Sequence, residues 1–148
     1  MINPFFEVLA KLTVNYSIKV KKGDRVVVLG PTLAEELFQA LYVEIIKADG
    51  YPLLLPDIEG INELFFKYAS EEQLLHVDNF LKILLEEIDC LISISGEYNT
   101  QKLSLTDPKI ISTYQAAPER KKSWNRFYDR AAVGEARWSP SPFPCQAL

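Results

Sequence analysis

Four consecutive residues, Glu97, Tyr98, Asn99 and Thr100, are the best candidates for a ligand-binding surface in this chain. They follow the short apolar run 90–95, whose composition is typical of a strand buried on both faces. Open α/β sheets bind ligands in crevices outside the carboxyl ends of their strands, so a loop here can touch a substrate. The alternative is that Asn99 and Thr100 only satisfy nearby backbone groups. The sequence leaves both interpretations open.

A metal site would have to use His76, because the chain has one histidine. On a helix beginning at Ser70, only Glu72 shares the face of His76, four residues earlier. One imidazole and one carboxylate do not build a catalytic zinc site, which takes three protein ligands and an open position. We therefore interpret His76 as a structural or surface residue and expect no metal ligand in this chain.

Nucleophilic catalysis has equally little support. Cys90 lies in an apolar run and fits a small core residue better than a nucleophile, and Cys145 is too far along the chain to suggest a metal-binding pair. Ser93 and Ser95 belong to the same run and do not form a G-x-S-x-G elbow. We expect no catalytic residue and no cofactor site in the chain.

The first strand-to-helix turn, Gly30-Pro31-Thr32, is the place where a fold of this class would bind a nucleotide. It has neither the G-x-G-x-x-G pattern nor the G-x-x-x-x-G-K-[ST] pattern of phosphate-binding loops. Proline also removes a backbone N–H that would face a phosphate. The sequence therefore argues against nucleotide binding at this turn.

These residues would be positioned by alternating strands and helices. The apolar runs 25–30, 51–55 and 90–95 are predicted strands, and residues 137–138 are a candidate start of a fourth. Apolar spacing predicts helices over residues 5–18, 32–49, 62–68, 70–88, 108–117 and 118–133. This alternation predicts a three-layer α/β domain with a mainly parallel sheet of three to four strands and helices on both faces.

Several helix ends carry recognisable signals. Thr32 with Glu35 and Ser70 with Gln73 match the capping-box pattern, and Gly50 fits a left-handed helix end. In the first helix the residues expected to face the core are Phe5, Val8, Leu9, Leu12 and Tyr16.

The charges are unevenly distributed. Residues 1–100 hold eight Lys and Arg against sixteen Asp and Glu, and residues 101–148 hold eight against four, for a net charge of −4. No stretch approaches the ~20 apolar residues of a membrane span. The N-terminus lacks the basic region of a signal peptide, so we expect a cytoplasmic protein with free thiols and no membrane contact.

The basic end supports an alternative function as a stand-alone interaction module. Its positive residues are Arg120, Lys121, Lys122, Arg126 and Arg130. These could contact phosphates or an acidic partner while Trp124 or Tyr128 stacks on a base. The competing interpretation is simpler, because Trp124, Phe127 and Tyr128 share one helical face that can point into a core. We therefore disfavour nucleic-acid binding.

An ordered set of segments resembles the aminopeptidase T family, also called thermophilic aminopeptidases. The segments are residues 15–26 (NYSIKVKKGDRV), the Gly30-Pro31 turn, residues 48–52 (ADGYP), 94–100 (ISGEYNT), 134–138 (GEARW) and Phe143-Pro144. No single segment is specific to the family, but their order covers nearly the whole chain.

The resemblance implies a cytoplasmic exopeptidase that removes N-terminal residues from peptides with two divalent metal ions, zinc, cobalt or similar. It also implies an N-terminal α/β domain followed by a C-terminal domain that supplies the metal ligands. This chain would then be the non-catalytic N-terminal domain, inactive alone. Its expected partners are the missing catalytic domain, peptide substrate in the parent enzyme and, as a further candidate, a second copy of itself.

The segment 139–148 departs from the family pattern, which continues a strand after the Arg137-Trp138 pair. Prolines at positions 140, 142 and 144 predict an irregular, poorly packed tail. We therefore expect an α/β domain over residues 1–138 and a Pro-rich tail over 139–148 that marks a truncation point.

Overall fold

A computed structural model describes residues 2–95 and 105–143. Within these residues the strands are β1 (Arg25–Pro31), β2 (Tyr51–Asp57), β3 (Cys90–Ser95) and β4 (Arg137–Pro142). They form one sheet in the order β2-β1-β3-β4, and every neighbouring pair is parallel. The three predicted strands and the candidate fourth strand are therefore confirmed.

The described part of the chain contains seven α-helices, of which the first precedes β1 and the others lie between strands. The seven helices are α1 (Pro4–Leu12), α2 (Glu35–Lys47), α3 (Ile61–Tyr68), α4 (Glu71–Leu75), α5 (Asn79–Glu87), α6 (Pro108–Gln115) and α7 (Pro118–Ala132). A π-helical turn (Thr13–Ser17) extends α1, and a 3₁₀ turn (Thr32–Ala34) precedes α2. None of these helices has the length and apolar character that a membrane crossing requires.

The sheet is the middle of three layers, as predicted. Val26 and Val28 face a core shared with α1 and α2, while Val27 faces a second core shared with α5 and α7. All three valines are at most 1% exposed. A run of β-branched residues is stable here because both faces of the strand are covered by helices.

The irregular tail expected from Ser139 is wrong for residues 139–142, which belong to β4. Ser139 aligns with Ile92, and Ser141 is buried beside Ile94. The chain remains packed at Phe143, whose N–H donates to the Ser95 carbonyl oxygen at 2.8 Å. Residues 144–148 lie outside the described residues.

The positions of the prolines explain why β4 tolerates them. The N–H groups of Arg137 and Phe143 both point at β3, donating to the carbonyl oxygens of Asp89 and Ser95. Because backbone direction alternates along a strand, the nitrogens of Pro140 and Pro142 point to the free edge of the sheet, where no hydrogen bond is lost. The presence of prolines alone does not show which way their nitrogens point.

The opposite edge strand, β2, uses prolines in the same way. The N–H of Tyr51 donates to the Asp24 carbonyl oxygen at 2.7 Å, so alternate nitrogens of β2 face β1. The nitrogens of Pro52 and Pro56 therefore face outward. Proline on an edge strand removes donors that another strand would pair with, which protects both edges of this sheet from strand addition.

The predicted core face of α1 is wrong at four of its five positions, and only Leu9 packs against the core. Phe5, Val8, Leu12 and Tyr16 are at least half exposed. The buried residues are instead Ala10 and the flanking positions Thr13 and Val14 in the following turn. The helix is apolar on two sides, so spacing alone did not distinguish the side that packs on α2 and the sheet.

Two of the predicted helix-end signals differ from the structure. Thr32 begins a 3₁₀ turn, and α2 starts at Glu35 after Ala34, which makes no side-chain cap. Asp49, not Gly50, takes the left-handed conformation, with φ of 61°. Gly50 is needed for close packing, because a Cβ there would lie 3.0 Å from side-chain atoms of Ile45.

The single helix predicted over residues 70–88 is two helices. The capping box at its start is confirmed, since Ser70 Oγ accepts the Gln73 N–H and Gln73 Oε1 accepts the Ser70 N–H. The helix ends at His76, and Asp78 then caps α5 by accepting the Phe80 N–H. A second capping residue inside an apolar repeat marks the break.

Candidate functional site

The carboxyl edge of the sheet, defined by Pro31, Asp57, Ser95 and Pro142 as the last strand residues, is where this fold class binds ligands. The chain winds from β1 to β2 in one direction and reaches β3 on the other side of β1. This topological switch lies between β1 and β3. The predicted loop of Glu97, Tyr98, Asn99 and Thr100 comes directly after β3 but lies outside the described residues, so its role stays a prediction.

Close packing at this switch requires a glycine at position 30. A Cβ at Gly30 would lie 2.6 Å from Ile94 Cβ and 3.3 Å from Phe38 Cζ. Strands β1 and β3 and helix α2 therefore meet too closely for any side chain at this position.

Asp57 is a carboxylate at this edge that the sequence analysis missed. It ends β2 in register with Pro31 of β1. Partial burial raises the pKa of the Asp57 carboxyl group above its usual value, because the charged form loses solvation. The available signal was an acid two residues after the apolar run 51–55, near the point where the strand must end. A carboxylate placed there can accept a hydrogen bond from a ligand.

The opposite, amino edge of the sheet carries a cluster of Asp24, Cys90 and Arg137. Arg137 pairs with Asp24, and Arg137 Nη2 lies 3.1 Å from Cys90 Sγ. Asp24 Oδ2 also accepts the Lys21 N–H at 2.7 Å. The cluster joins the starts of β1, β3 and β4, and it lies away from the edge where ligands bind.

Cys90 is a buried core residue, as its sequence context indicates. Burial raises the pKa of the Cys90 thiol to about 11, and the neighbouring Arg137 offsets this only in part. The thiolate is the nucleophilic form, so such a thiol is inert at neutral pH. Ser93 and Ser95 lie within β3 itself and form no nucleophile elbow.

His76 is exposed and caps the end of α4. It shares a hollow of about 390 Å³ with Glu72, Gln73 and Phe65. Its backbone carbonyl oxygen accepts a hydrogen bond from Arg120 Nη2 at 3.0 Å. The described residues contain no group of three or more His, Cys, Asp or Glu side chains that could hold a metal ion.

The basic segment is largely engaged within the fold. Arg120 donates to the Tyr114 carbonyl oxygen at 2.6 Å and lies over the Tyr114 ring, 3.7 Å from its centroid. Arg130 donates to the carbonyl oxygens of Leu85 and Ile88, both at 2.9 Å, at the end of α5. Arginine there satisfies unpaired helix carbonyl groups.

The remaining residues of the segment have mixed roles. Arg126 pairs with Glu86 at 2.9 Å, whereas Lys121 and Lys122 are exposed. Phe127 is fully buried, and Trp124 packs against the same core. Three of the five cations therefore serve the packing of α7. Of the two rings that the alternative function would stack on bases, Trp124 packs against the core and Tyr128 is about half exposed.

The comparisons with known proteins agree with this architecture. The sequence model of the thermophilic metalloprotease family (M29) matches residues 3–148. No match was found among curated proteins. The structure is similar to that of wild-type AmpT from Thermus thermophilus, with a TM-score of 0.75 at 18% identity over 95% of this chain and 36% of AmpT.

Two other solved structures are more distant. The CurK enoyl reductase matches with a TM-score of 0.37 at 10% identity, over 95% of this chain and 61% of its own. L-Tryptophan dehydrogenase from Nostoc punctiforme matches with a TM-score of 0.30 at 13% identity, over 93% of this chain and 40% of its own. Neither supports an argument about function. The family match extends over nearly the whole sequence, and the chain therefore belongs to the thermophilic metalloprotease family.

Proposed function

We propose that this chain is the N-terminal, non-catalytic domain of a metal-dependent aminopeptidase that removes N-terminal residues from peptides. The observation that carries the proposal is the family match over residues 3–148, combined with coverage of 36% of AmpT. A chain corresponding to about a third of such an enzyme is an α/β module of it. The resemblance to aminopeptidases implies that the catalytic metal ligands belong to a separate, C-terminal domain.

The described residues do not fit the two divalent ions, zinc, cobalt or similar, that the family resemblance implies. A two-metal hydrolase needs several converging carboxylates and imidazoles that leave a position for water. Here His76 is exposed with one carboxylate, Glu72, beside it. Three other acids, Asp24, Glu86 and Glu87, have arginine partners. We propose that this chain holds no catalytic metal.

The role of the domain is then to support a catalytic domain and to border its substrate cavity. Glu97, Tyr98, Asn99 and Thr100 follow β3 at the topological switch, which is where a fold of this class meets a ligand. We assign this loop to the peptide substrate or to the domain that binds it. Asp57, at the end of β2, is a further polar group on the same edge.

A cytoplasmic location belongs to the same proposal and rests on the family resemblance. The free thiol of Cys90 is compatible with a reducing compartment. We do not carry the nucleic-acid-binding alternative as a second function, because Arg120, Arg126 and Arg130 already have partners within the fold.

The test is an activity assay on the purified 148-residue chain. Aminoacyl-p-nitroanilides are supplied with cobalt, zinc or manganese, with an active metallo-aminopeptidase as the positive control. We expect no turnover above the metal-only blank. Turnover that persists through purification and is abolished by a chelator would contradict the proposal and would direct attention to His76, Glu97 and their neighbours.

A further inference from the structure

Helices α3, α4 and α6 form a small unit that packs outside the two cores of the sheet. Within the described residues, Phe66 and Leu74 are at most 7% exposed, yet neither belongs to the core with α1 and α2 or to the core with α5 and α7. Tyr114 of α6 instead meets the rings of Phe65 and Phe66 edge-on, with centroids 5.8 and 5.4 Å away. Helix α4 packs on α6 as well. We call residues 61–75 and 108–115 the α3–α4–α6 unit.

The α3–α4–α6 unit stands at the carboxyl edge of the sheet. Helix α3 begins four residues after Asp57, the last residue of β2. Helices α5 and α7 start next to the unit and run back to the amino edge, where each is followed by a strand. Each of these two crossovers therefore contributes one portion to the unit and a later portion that covers the sheet.

Each described connection between the unit and the rest of the domain contains a break in helical backbone. Gly60, before α3, has a φ of 86°. Between α4 and α5, His76 and Asp78 are extended, with ψ of 135° and 140°. Between α6 and α7, Ala117 has a ψ of 116° and is followed by Pro118. Hinge motions need a few residues at the ends of elements that absorb changes in φ and ψ, and these breaks occupy such positions.

Arg120, in the first turn of α7, spans the two breaks between helices. Its Nη1 donates to the Tyr114 carbonyl oxygen at 2.6 Å and to the Leu74 carbonyl oxygen at 3.3 Å. Its Nη2 donates to the His76 carbonyl oxygen at 3.0 Å. Arg120 belongs to the same helix as Phe127, which is buried in the core on the sheet. One planar cation therefore ties the terminal carbonyl groups of α4 and α6 to the rest of the domain.

Opening of the unit would expose little additional apolar surface. Four of its large apolar side chains are already 42% or more exposed, namely Ile61, Leu64, Tyr68 and Leu75. Opening newly exposes Phe66 and Leu74, whereas global unfolding exposes both cores of the sheet. Regions with few buried apolar contacts open at a lower free energy than the whole domain.

We propose that the α3–α4–α6 unit is a cover at the carboxyl edge, which opens as a whole while the sheet stays folded, and that Arg120 is the latch that holds it closed. The three backbone breaks act as the hinges. Opening displaces the chain directly beyond Asp57 and widens access to the edge where a fold of this class meets a ligand. The inference rests on packing within the described residues and not on the proposed aminopeptidase function.

Native-state amide hydrogen exchange of the 148-residue chain, measured over a series of low urea concentrations, tests the opening. The reporters of the unit are the hydrogen-bonded N–H groups of Ala69, Leu74 and Ala116. We expect them to share one protection factor, at least about tenfold below that of the amides in β1 and β3. They should also share one dependence on urea, which is shallower than that of the sheet because less surface is exposed.

Arg120→Met should make the unit open more often without affecting the sheet. Loss of the charged hydrogen bonds should lower protection at the three reporters at least about tenfold. The matched control is Arg130→Met, because Arg130 lies on the same helix and also donates to two carbonyl oxygens, those of Leu85 and Ile88. These groups are remote from the unit, so the control should leave the exchange of the three reporters unchanged.

Arg120→Lys keeps the proposal testable if the methionine variant does not fold. A lysine ammonium keeps the charge but lacks the planar fork that reaches the carbonyl groups of two helices. We expect protection of the three reporters to fall below the wild-type value, with a smaller loss than in Arg120→Met. Far-UV circular dichroism of each variant establishes that the domain is folded.

Four results would overturn the proposal. The first is equal protection and equal urea dependence for the unit and the sheet, which would make the domain a single cooperative structure. The second is a different urea dependence at each reporter, which would show that the helices fray separately. The third is unchanged exchange at the reporters in the folded Arg120 variants, or a loss that is equally large in the sheet. The fourth is an Arg130→Met chain whose unit opens as often as that of Arg120→Met.

Discussion

Asp24 and Arg137 form an ion pair although they are 113 residues apart in the sequence. The pair joins the start of β1 to the start of β4 across the intervening strand β3. Both side chains are largely buried, with 14% of Asp24 and 26% of Arg137 exposed. The ion pair therefore links the edge strand β4 to the central strand β1.

Removing one partner of this pair should destabilise the domain. Arg137→Met leaves the Asp24 carboxylate partly buried without its cation. We expect a loss of about 1–3 kcal/mol in the free energy of unfolding, below the 3–5 kcal/mol typical of fully buried pairs. Arg126→Met is the control, because the pair of Arg126 with Glu86 is half exposed and should contribute about 1 kcal/mol or less. Urea unfolding measures both, and equal losses would contradict the assignment.

Cys90 should be almost unreactive in the folded chain. In a Cys145→Ser background at pH 8, a thiol with a pKa of about 11 has roughly a hundredfold less thiolate than one at the ordinary value of 9.0. Labelling by a disulfide reagent should therefore be at least about a hundredfold slower in the folded chain than in denaturant. Comparable rates in the two states would show that the thiol is accessible and ionised.

The same thiol makes stability depend on alkaline pH. The raised pKa means that the folded state holds the Cys90 proton more tightly than the unfolded state. The contribution is complete below pH 9 and falls as the pH rises from about 9 to 11. Cys90→Ala should remove this part of the decline, which is measured by comparing the two unfolding curves between pH 8 and 11.

Gly30→Ala should be costly even though alanine is small. Its Cβ would lie 2.6 Å from the Cβ of Ile94, an atom tied to the backbone of β3. We expect a loss of about 1–3 kcal/mol, as for other overpacked core positions. Gly50→Ala is the matched comparison and should cost less, because its 3.0 Å contacts are with methyl groups of Ile45 and Val20 that can shift. The reverse order in thermal unfolding would refute this account of Gly30.

Replacing the edge prolines should promote aggregation without unfolding the domain. In a Pro140→Thr, Pro142→Thr chain, β4 gains two outward N–H groups that can pair with another strand. We expect an unchanged circular dichroism spectrum and faster, thioflavin-positive aggregation on mild heating. A Pro118→Ala chain, changed at the start of α7, controls for the loss of proline itself. Equal aggregation of the two variants would argue against edge protection.

The central strands could be predicted because their residues are compatible with few other structures. Val26, Val27 and Val28 are apolar on both sides of the chain, and only a strand with helices on both faces buries all three. The capping box at Ser70 was also readable, since it depends on residues three apart. Such local signals gave the alternation of elements and hence the fold class.

Other features depended on information that local patterns do not carry. Helix α1 is apolar on two sides, so the choice of Ala10 and Val14 for the core is made by the close approach of α2. The prolines of β4 are acceptable only because their nitrogens point away from β3. The Asp24–Arg137 pair requires the complete strand order before its two members become neighbours.

The candidate loop of Glu97, Tyr98, Asn99 and Thr100 stays a prediction, because these residues lie outside the described part of the chain. Asp57 was missed because β2 continues through Pro56 to reach it. A proline that ends most strands is harmless on this edge strand, so the predicted end at residue 55 was two residues early.

The most direct test of whether this α/β domain is non-catalytic is a titration of the purified chain with cobalt(II). The visible absorption spectrum of the cobalt is recorded during the titration, and equilibrium dialysis measures the number of bound ions. Protein ligands change the intensity and position of the cobalt bands, so the spectrum reports on site formation separately from activity. The account predicts a spectrum like that of the free aqueous ion and well below one bound ion per chain at micromolar metal. One or two tightly bound ions per chain, with intense bands that disappear in His76→Ala, would contradict it.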